Sequence, residues 1–147
     1  MEIINTQNLN EARKQIQKLK KENKQVIVWA QTDEFNRKIL ENKDVDMIAG
    51  LELNKKDRLK QRDSGLNEVL AKLAKQNNIK IGLDISELKN KKGKEKTKIL
   101  ARIMQNIKLC KRTGAEIIIM GNPDKKNAFS FLIALGASTF QAKKAVE

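Results

Sequence analysis

Cations dominate the side chains in this sequence that can do chemistry. Between residues 55 and 63, Lys55, Lys56, Arg58, Lys60 and Arg62 are opposed only by Asp57 and Asp63. The run leads into Arg62-Asp63-Ser64-Gly65-Leu66-Asn67, which joins a cation, an anion, a hydroxyl, a glycine and an amide. An amphipathic stretch follows, so a helix starts here. Asp63 or Ser64 can cap its free N–H groups. A helix start presents exposed donors and partial positive charge, which suits a phosphate. Arg62 adds a guanidinium that can grip phosphate through two hydrogen bonds. The expected division of labour places Asp63, Gly65 and Asn67 in the turn and cap, with Arg62 and Ser64 facing a partner. The same pattern also describes an ordinary capped helix, and spacing alone does not separate the two.

A second cationic stretch spans residues 89–98, where Lys89, Lys91, Lys92, Lys94, Lys96 and Lys98 surround Gly93 and Glu95 is the one acid. These lysines repel one another unless anions lie nearby. Gly93 suggests a flexible loop before a helix, and cations at a helix start oppose its dipole. The alternative is a solvated loop. A third candidate, Gly121-Asn122-Pro123-Asp124, reads as a structural turn, because asparagine and aspartate form turns and caps. Lys108, Lys111 and Arg112 read as a solvated helix face.

Composition narrows the chemistry. The chain has 147 residues, 39% of them hydrophobic, with a net charge of +13. That imbalance fits an anionic partner, nucleic acid above all. Histidine is absent, which removes the serine–histidine and cysteine–histidine nucleophile systems and the commonest zinc ligand. Cys110 is the one cysteine, which excludes an internal disulfide and fits a reducing cytoplasm. Aromatic residues make up 3%, and Trp29 lies inside an apolar run, so the sequence argues against a surface on which single-stranded bases stack. No stretch approaches the roughly 20 apolar residues of a membrane helix.

The elements that must position these groups alternate. Residues 2–5, 25–30 (QVIVWA), 45–50 (VDMIAG), 79–85 (IKIGLDI) and 116–120 (EIIIM) read as strands. Helical spacing joins Leu9, Ala12, Ile16 and Leu19. A short helix over 32–40 starts at Thr32 or Asp33. Leu66, Val69, Leu70, Leu73 and Ala74 mark a third helix face. Ile99, Ile103, Ile107 and Cys110 mark a long helix that ends near Gly114. Phe129, Leu132, Ile133 and Leu135 mark another, and 139–146 a last short one. Strand–helix alternation implies parallel βαβ units, and continuous apolar strands suggest helices on both sides. A closed eight-stranded barrel needs about 250 residues. The expectation is therefore one α/β domain over 1–147, either an open sheet or a partial barrel whose edges need cover.

The stretch QRDSGLNEVLAKLAKQNNIKIGLDISEL, residues 61–88, resembles the core signature of the ribonuclease P protein component 3 family. Upstream, DEFNRKILENKDVDMIAGLE at 33–52 matches the family's order of a helix before a strand. Downstream, the basic stretch, the helix ending KLCKRTGA and the strand EIIIM follow in the same order. The resemblance covers residues 2–147. It implies parallel βα units in a partial TIM-like barrel, related to histidine-rich metal phosphoesterases (PHP-like) but lacking their metal site. It also implies a subunit of ribonuclease P, which removes the 5′ leader of precursor tRNA. In that enzyme the RNA subunit performs the hydrolysis with Mg2+, and component 3 pairs with component 2. Family members are usually longer, with βα units ahead of this part. A dimer or component 2 would then cover the open edge.

On this reading the chain is cytoplasmic, binds no cofactor of its own and is inactive in isolation. Arg62, Ser64, Lys55, Lys56, Arg58 and Lys60 meet RNA, and Lys91, Lys92 and Lys94 form a second patch. The rivals are a metal-dependent phosphoesterase using Asp46, Asp84 and Asp124, and a general RNA chaperone.

Overall fold

The computed structural model describes residues 2–53 and 63–147. Five parallel strands form one sheet: β1 (Ile3–Ile4), β2 (Ile27–Trp29), β3 (Met47–Ala49), β4 (Lys80–Leu83) and β5 (Ile117–Ile119). Their spatial order is β1-β2-β3-β4-β5. A doubly wound sheet reverses direction at a switch point, whereas this one advances one strand at a time and never reverses. It does not close, so β1 and β5 are its edges.

The crossovers run through α1 (Leu9–Lys21), α2 (Asp33–Leu40), α3 (Glu68–Gln76), and the pair α4 (Ile85–Lys89) and α5 (Gly93–Thr113); α6 (Lys125–Ala134) and α7 (Thr139–Ala145) follow β5. Side-chain caps set most of the helix starts. Asn8 accepts from Glu11 N–H, Thr32 from Phe35 N–H and Asp124 from Lys126 N–H. Ser138 and Gln141 form a reciprocal capping box at α7. The α2 cap is thus Thr32. The strand expected over 79–85 is shorter, because Asp84 accepts from the N–H groups of Ser86 and Glu87 and starts α4.

Strand alternation sorts side chains into two unequal clusters. Ile4, Val28, Ile48, Ile81, Leu83, Ile117 and Ile119 point into the main core, and every helix contributes its buried residues to that same core. The opposite face carries a small cluster of Ile27, Met47 and Ala49, bordered by Trp29, Ile118 and Met120. Apolar strands suggested helices on both faces, but all the helices among the described residues pack on one. The unbroken order explains this: each crossover returns on the same side, as in a barrel wall. Val69 and Ile133, expected in the core, are 62% and 39% exposed. Leu70, Ala71 and Ala74 form the buried face of α3 instead.

Candidate nucleic-acid interface

The 63–67 turn sits against the exit of β3. The Asp63 carboxylate accepts from Gly65 N–H at 2.9 Å. Gly65 has φ +81°, and a Cβ there would lie 2.1 Å from the Leu51 carbonyl oxygen, so only glycine lets the two backbones approach. Asn67, rather than Asp63 or Ser64, caps α3 by accepting from Leu70 N–H at 2.8 Å. Ser64 is 1% exposed, and its hydroxyl donates to the Leu66 carbonyl at 3.1 Å. Its expected role facing RNA does not fit that geometry. The Ser64 side chain is spent inside the turn, and its own carbonyl accepts from Asn106 Nδ2 on α5 at 3.1 Å. The expected RNA-contacting residues Lys55, Lys56, Arg58, Lys60 and Arg62 lie outside the described residues.

A buried polar cluster stands behind this turn. Glu52, Arg102 and Asn106 are 0%, 5% and 0% exposed. Arg102 donates to the Glu52 carbonyl at 3.5 Å, a long bond. Neither carboxylate oxygen of Glu52 has a hydrogen-bond partner among the described residues. Burial pushes its pKa up to about 7; backbone N–H groups of Glu52 and Asp84 pull it down without reaching good bonding geometry, and the Asp84 charge adds to the rise. Sequence reading missed these three residues. A signal existed, because positions 102 and 106 fall on the face of α5 that buries Ile99, Ile103, Ile107 and Cys110. The Cys110 thiol, buried in that face, is pushed up to about 12.

The lysine stretch is largely helix. α5 begins at Gly93, and Lys92 occupies its N-cap position without a side-chain cap bond. Gly93 has φ +60°. Lys91 pairs with Glu95 at 3.4 Å and is partly covered. Lys92, Lys94, Lys96 and Lys98 are exposed and form no ion pair with a described residue. The first two turns of α5 thus carry uncompensated cations against the helix dipole. That arrangement weakens the helix start and raises its local attraction for anions.

The remaining candidates are dispersed. Asp124 caps α6 and Asp84 caps α4. Asp46 lies at the opposite end of the sheet, where its carboxylate accepts from Val26 N–H at 2.8 Å. These three carboxylates therefore do not converge, and no group of three metal-ligating side chains is found among the described residues. Gly121 has φ +84° in the turn before α6. Lys111, expected on a solvated face, donates to the Gly136 carbonyl at 2.7 Å and ties α5 to the end of α6. Among the described residues no helix is long and apolar enough to cross a membrane.

An open, singly wound α/β sheet with helices on one face and unpaired lysines at the carboxyl ends of its strands defines a partial β/α-barrel class of protein. No family model matches the chain. The chain is 31% identical over 116 residues to ribonuclease P protein component 3 of Methanococcus maripaludis, an alignment covering 79% of this chain and 47% of that protein. It is 28% identical over 123 residues to the protein of the same name from Methanocaldococcus jannaschii, covering 84% and 50%. Over the matched stretch the chain is similar to the ribonuclease P protein component 3 family. The chain spans about half the length of these curated relatives. It also superposes with a TM-score of 0.82 and 26% identity on a chain in a cryo-EM structure of archaeal ribonuclease P with mature tRNA, covering 97% of this chain and 62% of that one. An uncharacterised protein with 11% identity and a TM-score of 0.63 shares the fold alone.

Proposed function

We propose that the chain is a protein subunit of ribonuclease P that supports the catalytic RNA in removing the 5′ leader of precursor tRNA. The observation that carries this reading is the 0.82 TM-score over 97% of the chain to part of an archaeal ribonuclease P assembly. The net charge of +13 supplies the physical mechanism. Lysines and arginines neutralise phosphates that magnesium would otherwise screen, so the folded RNA needs fewer metal ions. Lys92 and Lys94 are the described residues best placed for this, with Lys91 beside them in its pair with Glu95. Lys55, Lys56, Arg58, Lys60 and Arg62 extend the same cationic character by sequence.

The partners on this reading are the catalytic RNA, protein component 2 and, through the complex, precursor tRNA. Component 2 or a second copy of the chain covers an open sheet edge. The chain works in the cytoplasm as one domain. It contributes no catalytic acid or base and holds no metal; the magnesium belongs to the RNA. The test is reconstitution of precursor-tRNA cleavage from the catalytic RNA and component 2, with and without this chain. The expected result is a clear gain in cleavage at limiting magnesium when the chain is added, and no phosphoester hydrolysis by the chain alone. Unchanged cleavage refutes the reading. Hydrolysis by the isolated chain favours the phosphoesterase instead.

A further inference from the structure

A cleft of about 690 Å³ opens at the carboxyl ends of β1, β2 and β3. Asn5, Gln7, Trp29, Gln31, Gly50 and Leu53 line it. That volume falls within the range of small-ligand sites, which runs from roughly 300 to 1,000 Å³. The sequence placed Trp29 inside an apolar run, as an enclosed core residue. At the carboxyl end of β2 it is instead only partly buried: it touches the main core and also the cluster on the sheet's other face, and it lines this cleft. The indole packs over the Gly50 backbone: a Cβ at Gly50 would come within 2.7 Å of ring atoms Cε2 and Cζ2. Gly50, with φ +81°, thus leaves the room the indole occupies.

Amides surround the ring. Gln31 Nε2 donates to Asn5 Oδ1 at 3.0 Å and lies 3.4 Å from the Trp29 carbonyl. This leaves Asn5 Nδ2, Gln31 Oε1 and both polar atoms of Gln7 without a hydrogen-bond partner among the described residues. Among the described residues, no side chain lining the cleft is charged. A phosphate, an acidic peptide or a metal ion would find no counter-charge among the described lining residues. An uncharged, flat group bearing donors and acceptors on its edge fits all three features: the ring, the amides and the neutrality. Unpaired RNA bases are bound by stacking on aromatic rings and by hydrogen bonds to their exposed edges.

We propose that this cleft takes one unpaired nucleobase of RNA, stacked on Trp29 and held at its edge by Asn5, Gln7 and Gln31. The choice of RNA as the polymer rests on the reading given under Proposed function. The base supplies the contact here, and the lysines elsewhere supply the attraction for its phosphates.

Trp29 is the one tryptophan in the sequence, so its emission reports on the cleft directly. The experiment titrates the chain with three RNA probes of equal length: a single-stranded oligoadenylate, the same backbone without bases, and a perfect duplex. Anisotropy of a labelled strand measures binding independently. The expected result is saturable quenching of Trp29 by the single strand alone, while all three probes bind by anisotropy. Equal quenching by all three probes overturns the proposal, as does single-strand binding with no change in Trp29 emission, or no single-strand binding at all. Gln7→Ala and Asn5→Ala each change an exposed side chain and are expected to preserve the fold. Together they should lower single-strand affinity several-fold and leave duplex affinity unchanged; an equal loss for both probes contradicts the proposal. Trp29→Phe should retain most of the single-strand affinity and Trp29→Leu lose about fivefold or more, the loss of one stacked base. Failure of the cleavage assay under Proposed function would leave these titrations unaffected, so the two readings fail separately.

Discussion

Along α5, Lys92 to Lys98 and Arg102 to Asn106 are separated by about one helical turn, yet they treat charge and polarity in opposite ways. The first group is exposed, without ion pairs to described residues apart from Lys91 with Glu95, and set against the helix dipole. The second is buried and bonded to backbone: Arg102 to the Glu52 carbonyl, Asn106 to the Ser64 carbonyl. Glu52 and Ser64 lie on either side of residues 54–62. One stretch of helix therefore offers charge outward, and the next uses polar side chains to hold the backbone on both sides of the cationic segment. Stability belongs to the second group and anion attraction to the first. Substitutions in each should separate cleanly.

The largest effect is expected at the turn that the buried group holds. Gly65→Ala forces a Cβ onto the Leu51 carbonyl in a left-handed conformation and should cost about 3–5 kcal/mol in chemical denaturation, within the range reserved for severe core strain. A loss below about 1 kcal/mol, within the ordinary run of substitutions, would show that the turn does not depend on that close approach.

Glu52 comes next. Its pKa is raised from 4.5 in the unfolded chain to about 7 in the folded one, so the folded state holds its proton longer. Stability from this group is full below about pH 4.5, falls as pH rises through the window and is lost above about 7, a total of about 3 kcal/mol. Wild type should therefore lose stability between pH 5 and pH 8 relative to Glu52→Gln, measured by denaturation midpoints. Parallel curves for the two proteins would mean that Glu52 finds a partner in solution.

Asn106→Ala should cost about 1–3 kcal/mol, because it leaves the buried Ser64 carbonyl without its donor. The smallest stability effect belongs to the exposed group. Replacing Lys92, Lys94 and Lys96 together by alanine relieves their opposition to the dipole and should raise stability by about 0.3–1 kcal/mol per cation at low salt at most. The same variant should flatten the salt dependence of RNA binding by about 0.7–0.9 log units per lost phosphate contact. A stability loss comparable to that of Asn106→Ala would erase the distinction between the two groups.

The parallel strand–helix order was legible because β-branched runs and helical spacing are local signals. The layering was not. Whether helices cover one face or two depends on how successive crossovers turn, and an apolar strand such as QVIVWA looks the same either way. The same limit explains Trp29: its place in an apolar run hid that it is only partly buried and touches both faces' clusters. Ser64 looked like a ligand because the short sequence around it is polar. Only the arrival of Asn106, 42 residues later, shows that the turn is internal. The cationic stretch over 89–98 was legible as charge, but its conformation was not. Gly93 suggested a loop, yet it starts α5 with a positive φ.

On the function proposed above, the cationic surface replaces metal charge around a catalytic RNA. The direct measurement is a magnesium titration of precursor-tRNA cleavage by the RNA with component 2, adding either the wild-type chain or the Lys92→Ala, Lys94→Ala, Lys96→Ala variant. Wild type is expected to lower the magnesium midpoint and the folded variant to shift it back upward, with cleavage at saturating magnesium unchanged. Identical midpoints with wild type, with the variant and without the chain would contradict it.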